Sequence, residues 1–411
     1  MSQPQSRYSA LPRAELAILV PELLLIGQLI DRSGMAWCIQ SFGRSGMLQI
    51  AIEEWAGASP IYTRRMQRAL GYSGDDVITI FKGLQLDIGA PPQFMDFRYT
   101  VHDRWHGEFH LDHCGALLDV EPMGADYVQG MCHDIEDPTF DATAVATNAK
   151  AQVRPIHRPP RLPADRQPHC AWTVIIDESH PEAQSIPALD IVAETRAARW
   201  HLAAIDRADE GRADYSGPLL SDFDFAAYSH SALVRIADEV CLQMHLLNLS
   251  FGIAVRARTE DNTDLATSIC TKQLTGIAGV AAERIRRALK LPADIAGLTE
   301  VLRLHPLLNP AGYVVAEIAD GRLGVHPSPA HDDGAWISLC TPASTGPLQA
   351  IATAVDPHIA VRLEGTNTDW TAEFEQTSTA MKVSPEVEVT KFSLGATFEF
   401  EPRRSLPLTV V

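Results

Sequence analysis

The chain has 411 residues, of which 46% are hydrophobic, 21% charged and 7% aromatic. That composition is typical of globular proteins and excludes the collagen-like, disordered and mini-protein classes. With 34 Lys and Arg against 52 Asp and Glu, the formal net charge is −18, which repels the phosphates of nucleic acids and of anionic membranes. We therefore predict that neither nucleic acid nor a membrane is a partner. At about 150 residues per domain we expect two domains.

The amino-terminal segment lacks the pattern of a secretory signal, which is a basic start followed by an apolar core and a cleavage site of small residues. The most apolar run, residues 16–30, is broken by Pro21 and Glu22 and is too short to span a bilayer. We expect a buried helix there. The odd count of seven cysteines favours reduced thiols over a disulfide framework. These features predict a cytoplasmic protein.

Landmarks that recur in the same order indicate two related modules in tandem. Each half begins with a helical stretch, and its second helix ends on an arginine-rich turn. Each half then changes to alternating, strand-like patterns and closes on a Trp-Thr strand. The matched segments are 30–32 with 236–238, 64–70 with 283–289, and 172–174 with 370–372.

The periodicity also predicts the secondary structure. Apolar residues at intervals of three and four predict helices, and short runs rich in β-branched and aromatic residues predict strands. Helices followed by strands in each half indicate an α+β fold, in which each module is a helical pair followed by a mostly antiparallel sheet. The expected helices are 12–30, 46–70, 225–250 and 267–290, and the expected strands are 97–102, 171–177, 313–318, 359–364 and 391–401.

The boundary between the modules is expected in a charged stretch that contains proline. We predict a first module over residues 1–180 with a Cys/His-rich site, a linker over 181–222 and a second, degenerate module over 223–411. Within the linker, residues 193–205 are expected to form a helix. A second irregular stretch, residues 153–168, holds five prolines, which exclude helix and central strand and predict an extended loop.

Three cysteines lie next to a histidine within residues 106–170. The pairs are His113-Cys114, Cys132-His133 and His169-Cys170. The intervals between the cysteines match no paired CxxC knuckle, so spacing alone does not predict a zinc finger. When the two halves are aligned, the second half retains none of the three cysteines. We infer that the first half holds the working site.

Two kinds of chemistry suit these residues. Thiolates that converge from three segments can hold Zn²⁺ or an iron–sulfur cluster, so the three cysteines are predicted metal ligands. Alternatively, one cysteine is a nucleophile activated by His113 or His133, with Asp134 orienting the base, which makes these three the predicted catalytic residues. A third interpretation is that the cysteines only fill the core, because cysteine is among the most often buried residue types.

The proline-rich stretch forms a basic island on an acidic chain. Its residues His157, Arg158 and Arg161 are predicted to bind the carboxylate or phosphate of a substrate, and a solvent-exposed connector is the alternative. Acidic residues around Pro138 can serve as acid–base groups or as a solvated turn. Asp31 and its acidic and aromatic neighbours on the early helices can line a pocket.

The cysteine motifs resemble a bacterial family, the L-2-amino-thiazoline-4-carboxylate hydrolase-like proteins. The matching motifs are His113-Cys114, Cys132-x-Asp134 and Cys170-x-Trp172. The similarity covers about residues 20–178, and it departs from the family pattern at Gly115, where proline is expected, and in the doubling of the chain. The resemblance implies ring-opening hydrolysis of a small heterocyclic amino acid, with the three cysteines and Asp134 as site positions.

We therefore predict a hydrolase or lyase that acts on a small carboxylate-bearing, heterocyclic molecule through a Cys/His/Asp site in the first module. The alternative is a non-catalytic protein that binds a metal, an iron–sulfur cluster or a small ligand. The expected partner is a small-molecule substrate, and association into a homo-oligomer is compatible with the sequence.

Overall fold

Helices and two antiparallel sheets make up an α+β protein, as the sequence predicts. The structure, a computed structural model, describes residues 4–182, 185–260 and 262–411. The elements of the first half are α1 (Arg13–Leu70), α2 (Val77–Leu84), β1 (Met95–Val101), β2 (His106–Cys114), α3 (Gly115–Val120), α4 (Ala125–Gln129), α5 (Glu136–Val145), β3 (Ala151–His157) and β4 (Cys170–Ile176). Two short helices follow, α6 (Pro187–Ala193) and α7 (Arg196–Arg199). The elements of the second half are α8 (His230–Thr259), α9 (Thr263–Ala288), α10 (Ile295–Leu304), β5 (Ala316–Ala319), β6 (Arg322–Val325), α11 (Pro329–Asp333), α12 (Gly346–Val355), β7 (Ile359–Gly365), β8 (Trp370–Gln376) and α13 (Pro385–Thr390).

The first helix, α1, is divided by a kink at Gly43. The φ of this residue is +69°, in the left-handed region that glycine adopts without a steric penalty. The two arms of α1 confirm the helices predicted near 12–30 and 46–70. The helix ends at Leu70, because Gly71 takes a second left-handed conformation and its backbone N–H donates to the carbonyl of Gln67.

Helices α1, α8 and α9 pack against one another and provide much of the core. The sequence prediction of helices near 225–250 and 267–290 is confirmed by α8 and α9. Helix α8 is long and apolar enough to cross a membrane, but 83% of its most apolar window is buried inside the protein. One hydrophobic cluster runs through residues of both halves, so the apolar character of α8 is used in a shared core.

Each half carries a four-stranded antiparallel sheet, and the strand order is the same in both. The order is β1-β2-β4-β3 in the first sheet and β5-β6-β8-β7 in the second. Trp172 on β4 and Trp370 on β8 are both buried. Alternate residues of β2 are buried, so the other face of the first sheet points toward solvent. The strands predicted near 97–102, 171–177, 313–318 and 359–364 correspond to β1, β4, β5 and β7.

The strand predicted at residues 391–401 is wrong. The buried guanidinium of Arg284 donates hydrogen bonds to three backbone carbonyls between residues 395 and 398, at 2.6–3.2 Å. These carbonyls therefore need no partner strand. Phe398 packs edge to face against Phe94 with ring centroids 5.4 Å apart. The alternating aromatic residues of this segment thus reflect side-chain packing and not a sheet.

The two irregular stretches differ in how well the sequence predicted them. The proline-rich stretch begins as β3, an edge strand, where the missing N–H of Pro155 removes no ladder bond from a central position.

The helix predicted at 193–205 is wrong, because α6 and α7 instead flank Thr195 and the chain is extended beyond them. The Thr195 hydroxyl accepts from the N–H of Ala198, and the Asp333 carboxylate accepts from two further N–H groups of α7. These polar side chains start a new helix where continuous helix was expected.

Two buried ion pairs cross between the halves. Arg65 of α1 lies 2.8 Å from Glu239 of α8, and Arg284 of α9 lies 2.5 Å from Glu22 of α1. Burial raises the pKa of Glu22 and lowers that of Arg284, and each charge opposes the shift of the other. Each arginine thus offsets the desolvation cost of a buried carboxylate. Because the two partners of each pair belong to different halves, the pairs hold the two halves together.

We expect Arg284→Ala to lower the free energy of unfolding by about 3–5 kcal/mol, because it leaves Glu22 unpaired in the core. The matched control is Arg303→Ala, which breaks an exposed pair with Glu300 and is expected to cost less than about 1 kcal/mol. Urea unfolding followed by circular dichroism measures both. Equal losses in the two variants would show that the crossing pair does not hold the halves together.

Candidate functional site

The three predicted metal-ligand cysteines lie in one buried region of the first half. Cys114 ends β2, Cys132 lies in a π-helical turn (Gly130–Ile135) between α4 and α5, and Cys170 begins β4. Cys132 lies within electrostatic range of both Cys114 and Cys170. No set of three ligand atoms that includes a cysteine lies within 4.8 Å in the parts of the chain that the structure describes. A metal on these thiols therefore stays a prediction, and it would require the sulfurs to move closer together.

The environment of these thiols favours the protonated form. Burial, followed by the nearby carboxyl of Glu136, raises the pKa of Cys114 to about 12. The same two causes raise the pKa of Cys132 and of Cys170. The Cys114 sulfur also accepts a hydrogen bond from the N–H of Leu117 at 3.4 Å, so it serves as the N-cap of α3. A cysteine nucleophile needs the opposite, a lowered pKa.

The predicted catalytic histidines make hydrogen bonds to the backbone. A ring nitrogen of His113 lies 3.0 Å from the carbonyl of Phe94, and one of His133 lies 2.7 Å from the carbonyl of Pro159. A carbonyl only accepts, so each of these nitrogens carries its proton and cannot act as the base. Asp134 is exposed, and no hydrogen bond among the described residues joins it to either histidine. The structure therefore does not bring these three together as a relay.

The predicted anion-binding arginines already have partners. Arg158 pairs with Asp137 and lies over the ring of Trp172, and Arg161 forms two hydrogen bonds, at 2.9 and 2.8 Å, with Glu121. These contacts fix the proline-rich stretch to the helices around the cysteines. The third predicted residue, His157, is half-buried, and burial together with Arg166 and His110 lowers its pKa.

A small cavity beside the cysteine region is lined by both apolar and ionisable side chains. It has a volume of about 80 Å³ and lies between α1, α5 and the segment that follows α2. Three buried carboxyl groups line it, and they belong to Asp31, Asp87 and Glu136. Carboxyl groups are rarely buried without a strong partner, so three around one cavity point to a function.

Burial changes the acidity of each carboxyl to a different extent. It raises the pKa of Glu136 to about 8, with Asp137 adding to the shift and Arg158 opposing it, and the Glu136 Oε2 atom has no hydrogen-bond partner in the described structure. It raises the pKa of Asp87 only to about 6, because the N–H of Gly89 and the Tyr62 hydroxyl donate to Asp87 at 2.7 and 2.8 Å. At neutral pH the first group is mainly protonated and the second mainly ionised.

The third carboxyl, Asp31, is held in a chain of charges. Arg32 lies 2.9 Å from Asp31 and 3.4 Å from Asp119. Burial raises the pKa of Asp31, the Arg32 charge opposes the shift, and Asp119 adds to it. Glu54 lies behind Asp31 on the second arm of α1, is completely buried, and has its pKa raised by burial and by Asp31. The acidic groups of this region thus outnumber Arg32, the one guanidinium among the described residues that line the cavity.

A larger apolar pocket adjoins the cavity. Its volume is about 510 Å³, within the range of small-molecule sites, and it shares Asp31, Arg32, Met131 and Ile135 with the cavity. Most of its other lining side chains are apolar, among them Met35, Ile39, Met47, Leu48, Met123 and Leu394. The pocket and the cavity together form a mostly apolar compartment with carboxyl groups at one end.

The rim of this pocket is formed by the second half. Phe392 lines the pocket and is 86% exposed. The neighbouring Ser393 hydroxyl and Leu394 N–H donate to the Asp119 carboxylate at 2.6 and 2.9 Å. Asp119 also faces Arg32, so the rim is connected to the polar end of the site through one carboxylate.

Sequence reasoning found only part of this site. Asp31 was expected to line a pocket, and Glu136 belonged to the acidic group near Pro138, but Asp87 and Tyr62 carried no motif. A signal was the position of Asp31 directly after the longest apolar run of α1, because a carboxyl placed there is buried with the run.

Comparison with known protein families, curated proteins and solved structures gives no match for this chain.

We expect the cysteines to be inert in the folded protein. All seven are buried, and burial raises the pKa of Cys114, Cys132 and Cys170. The thiol reagent DTNB should therefore react with none of them within minutes at pH 8, and with all seven after denaturation in guanidinium. Rapid modification of one native thiol would instead support the predicted cysteine nucleophile.

We expect the carboxyl cavity to make the protein less stable as the pH rises. The folded pKa of Glu136 is about 8 and its ordinary value is 4.5, so its contribution to stability is complete below pH 4.5 and is lost as the pH rises through 8. Glu136→Gln should flatten the fall in stability between pH 5.5 and 9 by on the order of 2 kcal/mol. Unfolding curves at several pH values test this, and parallel profiles for both proteins would contradict it.

Proposed function

We propose that the protein is a hydrolase or lyase for small molecules and that its reacting groups are the cavity carboxyls rather than the cysteines. The observation that supports this most is the apolar pocket of about 510 Å³ that continues into a cavity lined by three buried carboxyl groups. Groups whose environments separate their pKa values are the usual acid and base of an enzyme. Glu136 and Asp87, with pKa values raised to about 8 and about 6, are such a pair.

In the proposed reaction, Asp87 is the general base and Glu136 the general acid. Asp87 takes a proton from a water molecule as the water oxygen attacks an electrophilic carbon of the substrate. Glu136 gives its proton to the leaving nitrogen as the C–N bond breaks, so the products together contain the atoms of substrate and water. After product release, Asp87 loses its extra proton to solvent and Glu136 takes one up, which restores both groups. Tyr62, which donates to Asp87, positions that carboxylate. Acid–base catalysis of this kind contributes about 10²–10⁴-fold in rate.

The substrate we propose has an apolar body and a neutral or basic nitrogen-containing head. The cavity presents three carboxyls and one guanidinium, so a cyclic amidine or amide fits its charge better than an anion does. This agrees with the ring-opening hydrolysis that the resemblance implies. The predicted substrate carboxylate stays a prediction, and Arg32 is the cation that lines the cavity and can meet it.

We also infer that the two halves arose by duplication. The crossing ion pairs give the register, because Arg65 and Arg284 occupy matching positions in the arginine-rich turns and pair with Glu239 and Glu22. Both sheets also have the same strand order. This register differs from the sequence match of residues 30–32 with 236–238, which is shifted along the first helix of each half.

The register supports a working first half and a degenerate second half. Counting along the helices from the ion pairs, Asp31 corresponds to Asn248 and Glu54 to Gln273. Asn248 and Gln273 are buried and hydrogen-bonded to each other at 3.3 Å, and Gln273 also donates to Glu54. Amides do not ionise near neutral pH, so the second half has no ionisable group where the first half has Asp31 and Glu54.

A non-catalytic small-ligand carrier is the second candidate, and the mostly apolar lining of the larger pocket favours it. Binding and turnover distinguish the two. The binding probe is N-phenyl-1-naphthylamine, a neutral apolar dye whose fluorescence rises in apolar surroundings. We expect Met131→Trp, which fills the junction of pocket and cavity, to weaken its binding about tenfold or more. Met381→Trp, at a partly exposed position outside both sites, is the matched control.

For turnover, we would incubate the protein with L-2-amino-thiazoline-4-carboxylate and a panel of cyclic amidines and lactams, and detect the gain of one water by mass spectrometry. Glu136→Gln and Asp87→Asn are expected to lower kcat about 10²–10⁴-fold while binding the dye normally. Glu178→Gln, at an exposed position, is the control. Dye binding without turnover of the whole panel would favour the carrier, and loss of turnover in Cys132→Ser alone would return the chemistry to the thiols.

A further inference from the structure

A second cluster of ligand-type side chains lies on the hairpin between β1 and β2. The ligand atoms of His102, His106 and Glu108 all lie within 4.8 Å of one another. Within residues 4–182, 185–260 and 262–411, no other three His, Cys, Asp or Glu side chains meet that criterion. None of the three lines the cavity or the apolar pocket, so this cluster is independent of the proposed active site.

The hairpin fixes the positions of these side chains. The backbone N–H groups of His102 and Asp103 both donate to the carbonyl of His106 at 3.1 Å, which places the two histidines opposite each other at the end of the ladder. The Asp103 carboxylate accepts from the N–H of His106 at 3.0 Å and closes the turn. Glu108 lies two residues beyond His106 on β2, so both point to the solvent-facing side of the sheet. Backbone hydrogen bonds and the Asp103 carboxylate thus fix the part of the hairpin that carries the two histidines.

The distances between the groups suit a shared ion. The Nε2 atom of His102 lies 3.2 Å from Glu108 Oε1, and the imidazole centroids of His102 and His106 are 4.5 Å apart. The same Nε2 atom is buried and forms no hydrogen bond of good geometry within the described structure. This ring nitrogen, shielded from solvent, thus lies beside a carboxylate and a second imidazole, and a cation could join all three.

We propose that this hairpin binds one divalent transition-metal ion, with zinc as the best match. Two imidazoles and one carboxylate are a donor set that zinc prefers, and three protein ligands leave a fourth position for water. Magnesium and calcium prefer oxygen ligands and fit less well. The net charge of −18 also attracts cations to the protein.

Calorimetric titration of the full chain with zinc chloride, in buffer without chelators, tests the proposal. We expect one ion per chain with a Kd of about 10 μM or tighter. Loss of a residue that only supports a metal ligand weakens metal binding about 10–100-fold. His102→Ala and Glu108→Gln each remove a ligand, so each should weaken zinc binding by more than that. The matched control is His110→Ala, the next outward-facing histidine of β2, which lies 3.3 Å from Asp112 and is expected to keep wild-type affinity.

Cobalt(II) in place of zinc distinguishes this site from the cysteines. We expect visible cobalt bands without the near-ultraviolet absorption of a thiolate–cobalt bond, and loss of those bands in His102→Ala. A thiolate band that disappears in Cys132→Ser but persists in His102→Ala would overturn the proposal, as would a zinc Kd weaker than about 1 mM. Equal thermal midpoints of the metal-free proteins would show that the variants are folded.

Discussion

Compensation of charge between buried helices is the constraint on which this structure depends. The guanidinium of Arg284 and the carboxylate of Glu22 are both out of water, and neither half of the chain supplies both partners. Removing water from an ion costs several kcal/mol, and the opposite charge at hydrogen-bond distance offsets that cost together with the three carbonyls that accept from Arg284. The reciprocal pair of Arg65 and Glu239 does the same in the other direction. The shared core and these crossed pairs therefore join the two halves through buried contacts.

At the candidate site, burial also removes water from carboxyl groups, but nearby positive charges compensate for that loss only in part. This incomplete compensation gives the site its chemistry. Glu136 has no arginine of its own, because its nearest cations, Arg158 and Arg32, are paired with Asp137 and Asp31. Its proton is therefore retained into mildly alkaline solution. A carboxyl kept neutral in this way costs stability and gains the ability to donate a proton, which is why such groups are found at functional sites.

The residues around the cysteines show how far sequence patterns reach. That Cys114, Cys132 and Cys170 belong to one region could be predicted from their histidine neighbours, and the structure places all three in one buried region of the first half. Their protonation state could not, because it depends on burial and on Glu136, which faces them only in the folded protein. The histidines were natural candidates for bases, and backbone carbonyls of Phe94 and Pro159 hold one ring nitrogen each of His113 and His133, which leaves the opposite nitrogen as the one that can accept a proton. Residue type indicated what these side chains can do, and their contacts limit it.

The sequence by itself determined the α+β class, the long helices and most strands, because the periodicity of apolar residues is local and follows the geometry of each element. It also determined the strong negative charge and excluded a helix or a central strand in the proline-rich segment. Only the tertiary structure decided the crossed ion pairs, the absence of a strand at residues 391–401 and the meeting of Asp31, Asp87 and Glu136 around one cavity. These depend on contacts between residues far apart in the chain and on the exclusion of water, and no short window of sequence carries either one.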